Sequence, residues 1–166
     1  MTAILVTGMS GVGKSTVLDR LGKRGYRVVD TDVGGWIESR PLPGGAGVEP
    51  LWDEDRINAL LAGHERSGEP LFIAGTVRNQ GAFRPRFTEI VLLSAPLPVM
   101  LERIAARTTN PYGKTSEDRE RVIADTAEVL PLLRSSATVE IDTRSPVEDV
   151  VERLALLAGP PPALRA

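Results

Sequence analysis

Cysteine is missing altogether from these 166 residues, which excludes disulfides, thiolate metal sites and cysteine nucleophiles together. A single histidine, His64, has no second histidine to share a metal with, and packing or surface placement is its expected role. Neither charge sign dominates. Twenty basic against twenty-two acidic residues leave a formal charge of -2, so no basic field points to nucleic acid or an anionic membrane as partner. No apolar run approaches the ~20 residues that cross a bilayer. No basic, apolar and small-residue leader precedes the first strand pattern, so a cytoplasmic location is expected. Internal repeats are absent too, and the length fits one domain with a core of its own.

What is present is concentrated near the start. The apolar run Ile4-Leu5-Val6 is followed by Gly8, four residues, and Gly13-Lys14-Ser15. That is a complete Walker A phosphate-binding loop in its required strand-loop-helix context. Glycines at 8, 11 and 13 admit backbone angles that turn successive N–H groups inward onto phosphate oxygens. The following helix N-terminus favours the same anion. Gly8, Ser10, Gly11, Val12, Gly13, Lys14, Ser15 and Thr16 are therefore the expected nucleotide-binding residues. Lys14 reaches the terminal phosphates, and the Ser15 hydroxyl ligates their magnesium.

Along the chain, Val17, Leu18 and Leu21 mark a helical face that Gly25 terminates. Tyr26 to Val29 reads as a second strand ending on Asp30-Thr31-Asp32. Ligands in open α/β sheets sit beyond the carboxyl ends of strands, which places both acids near the loop. Turn and helix-cap chemistry is their alternative use. Residues 33 to 50, with Gly34-Gly35, Pro41, Pro43-Gly44-Gly45 and Gly47, are expected to be mobile and to hold no long regular element. Trp36 and Trp52 flank this segment, either as core anchors or as a wall for an acceptor.

Asp53, Glu54 and Asp55 open a helix that carries Ile57, Leu60 and Leu61 inward. Leu71 to Ala74 is the third strand. It ends in Gly75-Thr76-Val77-Arg78, without an aspartate for magnesium, which shifts that task to Asp30 and Asp32. Arg78, at the same strand end, is expected to clamp an anionic acceptor. Arg84 and Arg86 read as surface charges. Glu89 to Ser94 suits a buried parallel strand, and a helix from Pro98 carries Arg103 and Arg107 on one face. Residues 107 to 116 have the polar turn composition of a lid.

Thr115 with Asp118 resembles a capping box, on a helix that Pro131 is expected to kink or end. A last strand, Thr138 to Ile141, precedes a second capping box of Ser145 and Glu148, with Pro146 at the first helical position. Five strands alternating with helices predict a three-layer α/β/α fold around a parallel sheet. The domain is expected over 1–159, with a mobile acceptor-side segment near 33–66 and a short tail at 160–166, its last four residues frayed.

This order of parts resembles the nucleoside monophosphate kinase and shikimate kinase branch of P-loop phosphotransferases, from Ala3 to about Leu157. The segment Leu101 to Arg107 is similar to the adenylate kinase stretch before the lid, which implies Arg103 stacking on the adenine and Arg107 touching phosphate. Val29-Asp30-Thr31-Asp32 with Ile37-Glu38 is similar to the shikimate kinase Asp-x-Asp region. That implies Asp30 holding magnesium through water and Asp32 orienting the acceptor hydroxyl. Leu51 to Arg56, with the third strand and Arg86-Phe87, looks most like atypical small adenylate kinases. Gly75-Thr76-Val77 departs from the shikimate kinase triple glycine, and Lys114 and Arg119 are the nearest substitutes for paired lid arginines.

The expected protein is an ATP- and magnesium-dependent kinase with Lys14, Asp32 and Arg107 as catalytic groups. Its acceptor would be a nucleotide, nucleoside or hydroxylated metabolite. The alternative is a regulatory ATPase module that reports its nucleotide state to a protein partner.

Overall fold

The computed structural model describes residues 2–107 and 113–162. Strand β1 (Ala3–Thr7) is buried along its whole length, the pattern of a strand covered on both faces. It pairs in parallel with β5 (Leu71–Ala74) on one side and β6 (Glu89–Ser94) on the other. Strand β2 (Arg27–Asp30) adds to β5, and β7 (Val139–Asp142) adds to β6, which gives the order β2-β5-β1-β6-β7.

Period-two alternation then divides the apolar side chains between two cores. Ile4, Val6, Phe72 and Ala74 face one side, with Val17 and Leu21 of α1 (Lys14–Lys23) and Val151 and Leu154 of α5 (Val147–Ala158). Leu5, Leu71 and Ile73 face the other, with Ile57 and Leu61 of α2 (Glu54–Ser67) and Phe83 from a 3-10 segment, Arg78–Arg86. Helices α3 (Leu97–Ala106) and α4 (Ser116–Ser136) meet through Leu101, Ile104 and Val122. The three-layer α/β/α expectation is thus met. No helix among the described residues is long and apolar enough to cross a membrane.

In the segment 33–50, where no long regular element is expected, the short strands β3 (Ile37–Pro41) and β4 (Val48–Trp52) form an antiparallel hairpin. Two prolines fit because of the register. The Asp53 amide donates to Trp36 O and the Leu42 amide to Gly47 O, so the hydrogen-bonded rungs are the alternate pairs from 36/53 to 42/47. Pro41 opposite Val48 and Pro50 opposite Ser39 fall on the intervening rungs. A missing N–H costs no ladder bond there.

Trp52 anchors the hairpin. It is fully buried, which settles its role as core, and its Nε1 donates to Thr31 Oγ1 at 3.0 Å while that hydroxyl donates to Ala74 O at 2.7 Å. Its outward backbone is clasped by Asn79, which accepts from Trp52 N at 3.0 Å and donates to Trp52 O at 3.1 Å. A side chain on Gly75 would press on Thr31 and on the Trp52 ring 3.2 Å away.

The helix boundaries follow local chemistry. Asp53 caps α2 by accepting from Arg56 N, and Thr115 caps α4 by accepting from Asp118 N. Two boundary expectations change. Helix α4 does not end at Pro131 but continues to Ser136, since tertiary packing of an apolar face carries most of a helix's stability. No capping box opens α5. Pro146 occupies the cap position, without a side-chain cap, and Ser145 N donates to Asp142 O at 3.4 Å in a turn. His64 is buried on α2 with Nδ1 unpartnered, and burial holds its imidazole below the ordinary range.

Candidate active site

All five sheet strands direct their carboxyl ends to one edge, and the loop between β1 and α1 lies there. Gly13, the residue before α1, adopts φ 98° with nothing within 4 Å of where a side chain would point. The left-handed conformation selects glycine at this position. Helix α1 has neither a side-chain cap nor an acid in its first turn. Its leading N–H groups therefore remain available to an anion.

Lys14 folds back along the loop. Its Nζ donates to the Gly8 carbonyl and stands 3.4 Å from Thr76 Oγ1. Loss of water around the ammonium lowers its pKa from 10.5 to about 8, against the opposing pull of Asp32 and then Asp30. Thr76, from the end of β5, is a residue that sequence reasoning missed. Its hydroxyl donates to Gly8 O at 2.7 Å, receives Gly8 N at 3.2 Å and lies 3.0 Å from Thr7 Oγ1. The strand-end rule marks its position, although a search for an acid there passes over a threonine.

Ser15 donates to Asp30 Oδ2 at 3.0 Å, and the other Asp30 oxygen accepts the Asp32 amide, also at 3.0 Å. The structure therefore brings the start of α1 and the end of β2 into one constellation. A hydroxyl beside a carboxylate is the hard-oxygen donor pair that suits magnesium, which commonly takes few protein ligands and completes its shell with phosphate and water. Among the described residues no group of three or more His, Cys, Asp or Glu side chains is placed to hold a metal ion. Asp32 has its carboxyl pushed upward, mainly by partial desolvation, with Lys14 opposing and Asp30 reinforcing.

A cavity of about 580 Å³ extends from the loop, within the size range of ligand sites. Residues 9–17 form its floor, Asp32 stands at one margin, and Arg103, Arg107 and Thr143 to Ser145 form the far wall. Arg103 is fastened there, donating to Thr143 Oγ1 at 2.8 Å and to Thr143 O at 2.7 Å. Its guanidinium also lies 3.5 Å from Val12 O. The loop after β7 was not anticipated as part of the site, although it too follows a strand's carboxyl end. Half of the expected lid, residues 108–112, lies outside the described residues.

The Arg78 guanidinium pairs with Glu49 Oε2 of β4 at 2.8 Å. Arg84 and Arg86 follow the chain to the opposite end of the sheet, where Thr88 N donates to Ala3 O. Arg86 pairs there with Glu65 and Asn58.

A family model described as an AAA domain matches residues 4–124. Among solved structures, TT1252 from Thermus thermophilus is similar at 23% identity and a TM-score of 0.58, covering 95% of this chain and 98% of that one. Shikimate kinase from Acinetobacter baumannii, in complex with shikimate, is 19% identical with a TM-score of 0.58, covering 95% and 93%. A gluconokinase from Sinorhizobium meliloti 1021 is 26% identical with a TM-score of 0.54, also covering 95% and 93%. No curated protein matches the sequence.

Proposed function

The chain belongs to the AAA domain family across residues 4–124, and from that premise we propose that it is an ATP- and magnesium-dependent phosphotransferase for a small acceptor. One observation carries the reading: Ser15 and Asp30 meet at 3.0 Å beside Lys14, with Asp32 at the cavity margin. Phosphate, metal and acceptor functions thus have separate groups at one edge. The similarity to a gluconokinase over nearly the whole chain supports transfer to a small molecule, rather than hydrolysis read by a protein partner.

Phosphoryl transfer asks for positioning and charge neutralisation more than covalent help. The amides of residues 10–15 and the Lys14 ammonium hold the β- and γ-phosphates of ATP. Magnesium, when bound by Ser15 and Asp30, supplies charge compensation on those oxygens. Arg103 flanks the base, and Arg107 contacts phosphate from the lid side. The acceptor hydroxyl forms a bond to the γ-phosphorus while the bond to the β–γ bridging oxygen breaks, and ADP leaves with that electron pair. Asp32 orients the hydroxyl and takes its proton. Arg78, tied to Glu49, frames the acceptor side.

Magnesium-dependent ADP release over an acceptor panel tests this directly. Turnover that ignores every acceptor, or none despite tight ATP binding, refutes it. Asp32→Asn is expected to lower acceptor phosphorylation by roughly 10²- to 10⁴-fold with ATP affinity within about twofold of wild type; an unchanged rate makes Asp32 structural.

A further inference from the structure

Behind the phosphate loop three uncharged side chains meet: Thr7 at the end of β1, Thr76 after β5 and Gln80 in the 3-10 segment. None of them is among the residues that line the cavity. Their hydrogen bonds nevertheless run in one direction, toward it. Val77 N donates to Gln80 Oε1 at 3.0 Å, which turns the Gln80 amide nitrogen toward Thr7 Oγ1, 3.4 Å away. Thr76 Oγ1 donates to Gly8 O at 2.7 Å and accepts Gly8 N at 3.2 Å. A hydroxyl carries one proton and two lone pairs. With its proton on Gly8 O, Thr76 therefore accepts from Thr7 at their 3.0 Å contact. The chain leads from the Gln80 amide through both hydroxyls to the Gly8 carbonyl.

That carbonyl is also the one to which Lys14 Nζ donates. Thr76 already has both lone pairs filled, by Gly8 N and Thr7, so the ammonium 3.4 Å from it is held by Gly8 O rather than by the threonine. Gly8 is buried, and a side-chain carbon added to it would stand 2.5 Å from Leu93 O. The residue is wedged against β6, with no room to turn its carbonyl toward another donor. Burial has taken water from the Lys14 ammonium and lowered its pKa to about 8, so Gly8 O stands in for lost solvent. To hold phosphate, Lys14 exchanges this oxygen for those of the nucleotide, and a buried carbonyl left without a donor opposes the exchange.

We propose that Thr76 is a positioning residue for Lys14: its hydroxyl keeps Gly8 O hydrogen-bonded and thereby releases the ammonium to the β- and γ-phosphates. This rests on Lys14 being a phosphate contact in the phosphotransferase reading above, and no acceptor is needed to test it. Thr76 touches no ligand itself and acts only through Gly8 and Lys14.

Equilibrium titration with magnesium and ATP, carried to millimolar nucleotide, tests it on the wild type, Thr76→Val, Thr76→Ser, Lys14→Met and the Lys14→Met, Thr76→Val double variant. Thr76→Val is expected to raise the Kd about tenfold, and Thr76→Ser, which keeps the hydroxyl, to stay within about twofold of wild type. In the Lys14→Met background the valine is expected to change the Kd by less than about twofold, because no ammonium is left to release. Equal losses in both backgrounds mean a loop weakened in a general way and overturn the proposal. A Kd for Thr76→Val equal to wild type, or no rescue by serine, overturns it too. Where the valine lowers the melting temperature, Thr76→Ala is titrated in its place and read in the same way. A wild type that binds no ATP removes the nucleotide site itself, whereas binding without turnover of any acceptor removes the kinase reading and leaves the role of Thr76 standing.

Discussion

Lys14 shows what a functional position costs the fold. Its ammonium sits among backbone groups with little water, and its pKa falls from 10.5 to about 8. The folded state thus holds this proton less firmly than the unfolded chain does. The penalty is present in full below about pH 8 and recedes as pH rises from there toward 10.5. Lys14→Met is therefore expected to stabilise the nucleotide-free protein by roughly 1–3 kcal/mol at pH 7 while abolishing turnover. Melting curves of both proteins across pH 7 to 10.5 check this, and a stability gap that fails to narrow with rising pH contradicts it. Lys14 and Ser15 were legible in the sequence because their spacing from Gly8 is local. Thr76 was not, since its contact with Gly8 spans 68 residues and exists only once β1 and β5 pair.

At the scale of elements, the hairpin is where composition said least. Glycine and proline in 33–50 read as a segment without long regular structure, but Pro41 and Pro50 occupy rungs that need no N–H donor, and Trp52 ties the second strand into the core. Strand β5 depends on the same contact. Gly75→Ala would push a methyl group against Thr31 and Trp52, and overpacking of this kind costs about 1–3 kcal/mol. Because Thr31 lies between Asp30 and Asp32, the displacement should also reach Asp32. The expected result is a lowered melting temperature together with a rise in the KM of the acceptor, and an unaltered acceptor KM would separate the hairpin anchor from the site. Pro131 carries a similar lesson, because a 21-residue helix with packing on both sides of it absorbs one missing donor.

For the whole molecule, the nucleotide site joins elements far apart in sequence. Arg103 on α3 holds the loop after β7 to the phosphate loop. Arg20 of α1 and Arg24, which caps it, pair with Glu148 and Glu152 of α5 across the exterior. Those exposed pairs contribute little each, so binding should report chiefly through the site. ATP with magnesium at one hundred times its Kd adds about 2.7 kcal/mol, which for a chain of this size corresponds to a rise in Tm of about 5 to 10 °C. Thermal shift with and without magnesium measures it. A Tm that does not move under saturating nucleotide would deny the loop its assigned ligand.

By itself the sequence determined the phosphate loop, the five parallel strands, the apolar faces of the helices and the pair of acids at the carboxyl end of β2. Each is written in short-range periodicity or in residues a few positions apart, where spacing and backbone geometry are directly coupled. Tertiary structure alone decided that Thr76 buttresses the loop, that Arg103 is clasped by Thr143, that Trp52 is core, and that Arg78 answers to Glu49. These are partnerships between residues brought together by strand pairing and by the hairpin register. A hydrogen bond or ion pair depends on positions in space, and no local pattern in the chain encodes which distant side chain will be within reach.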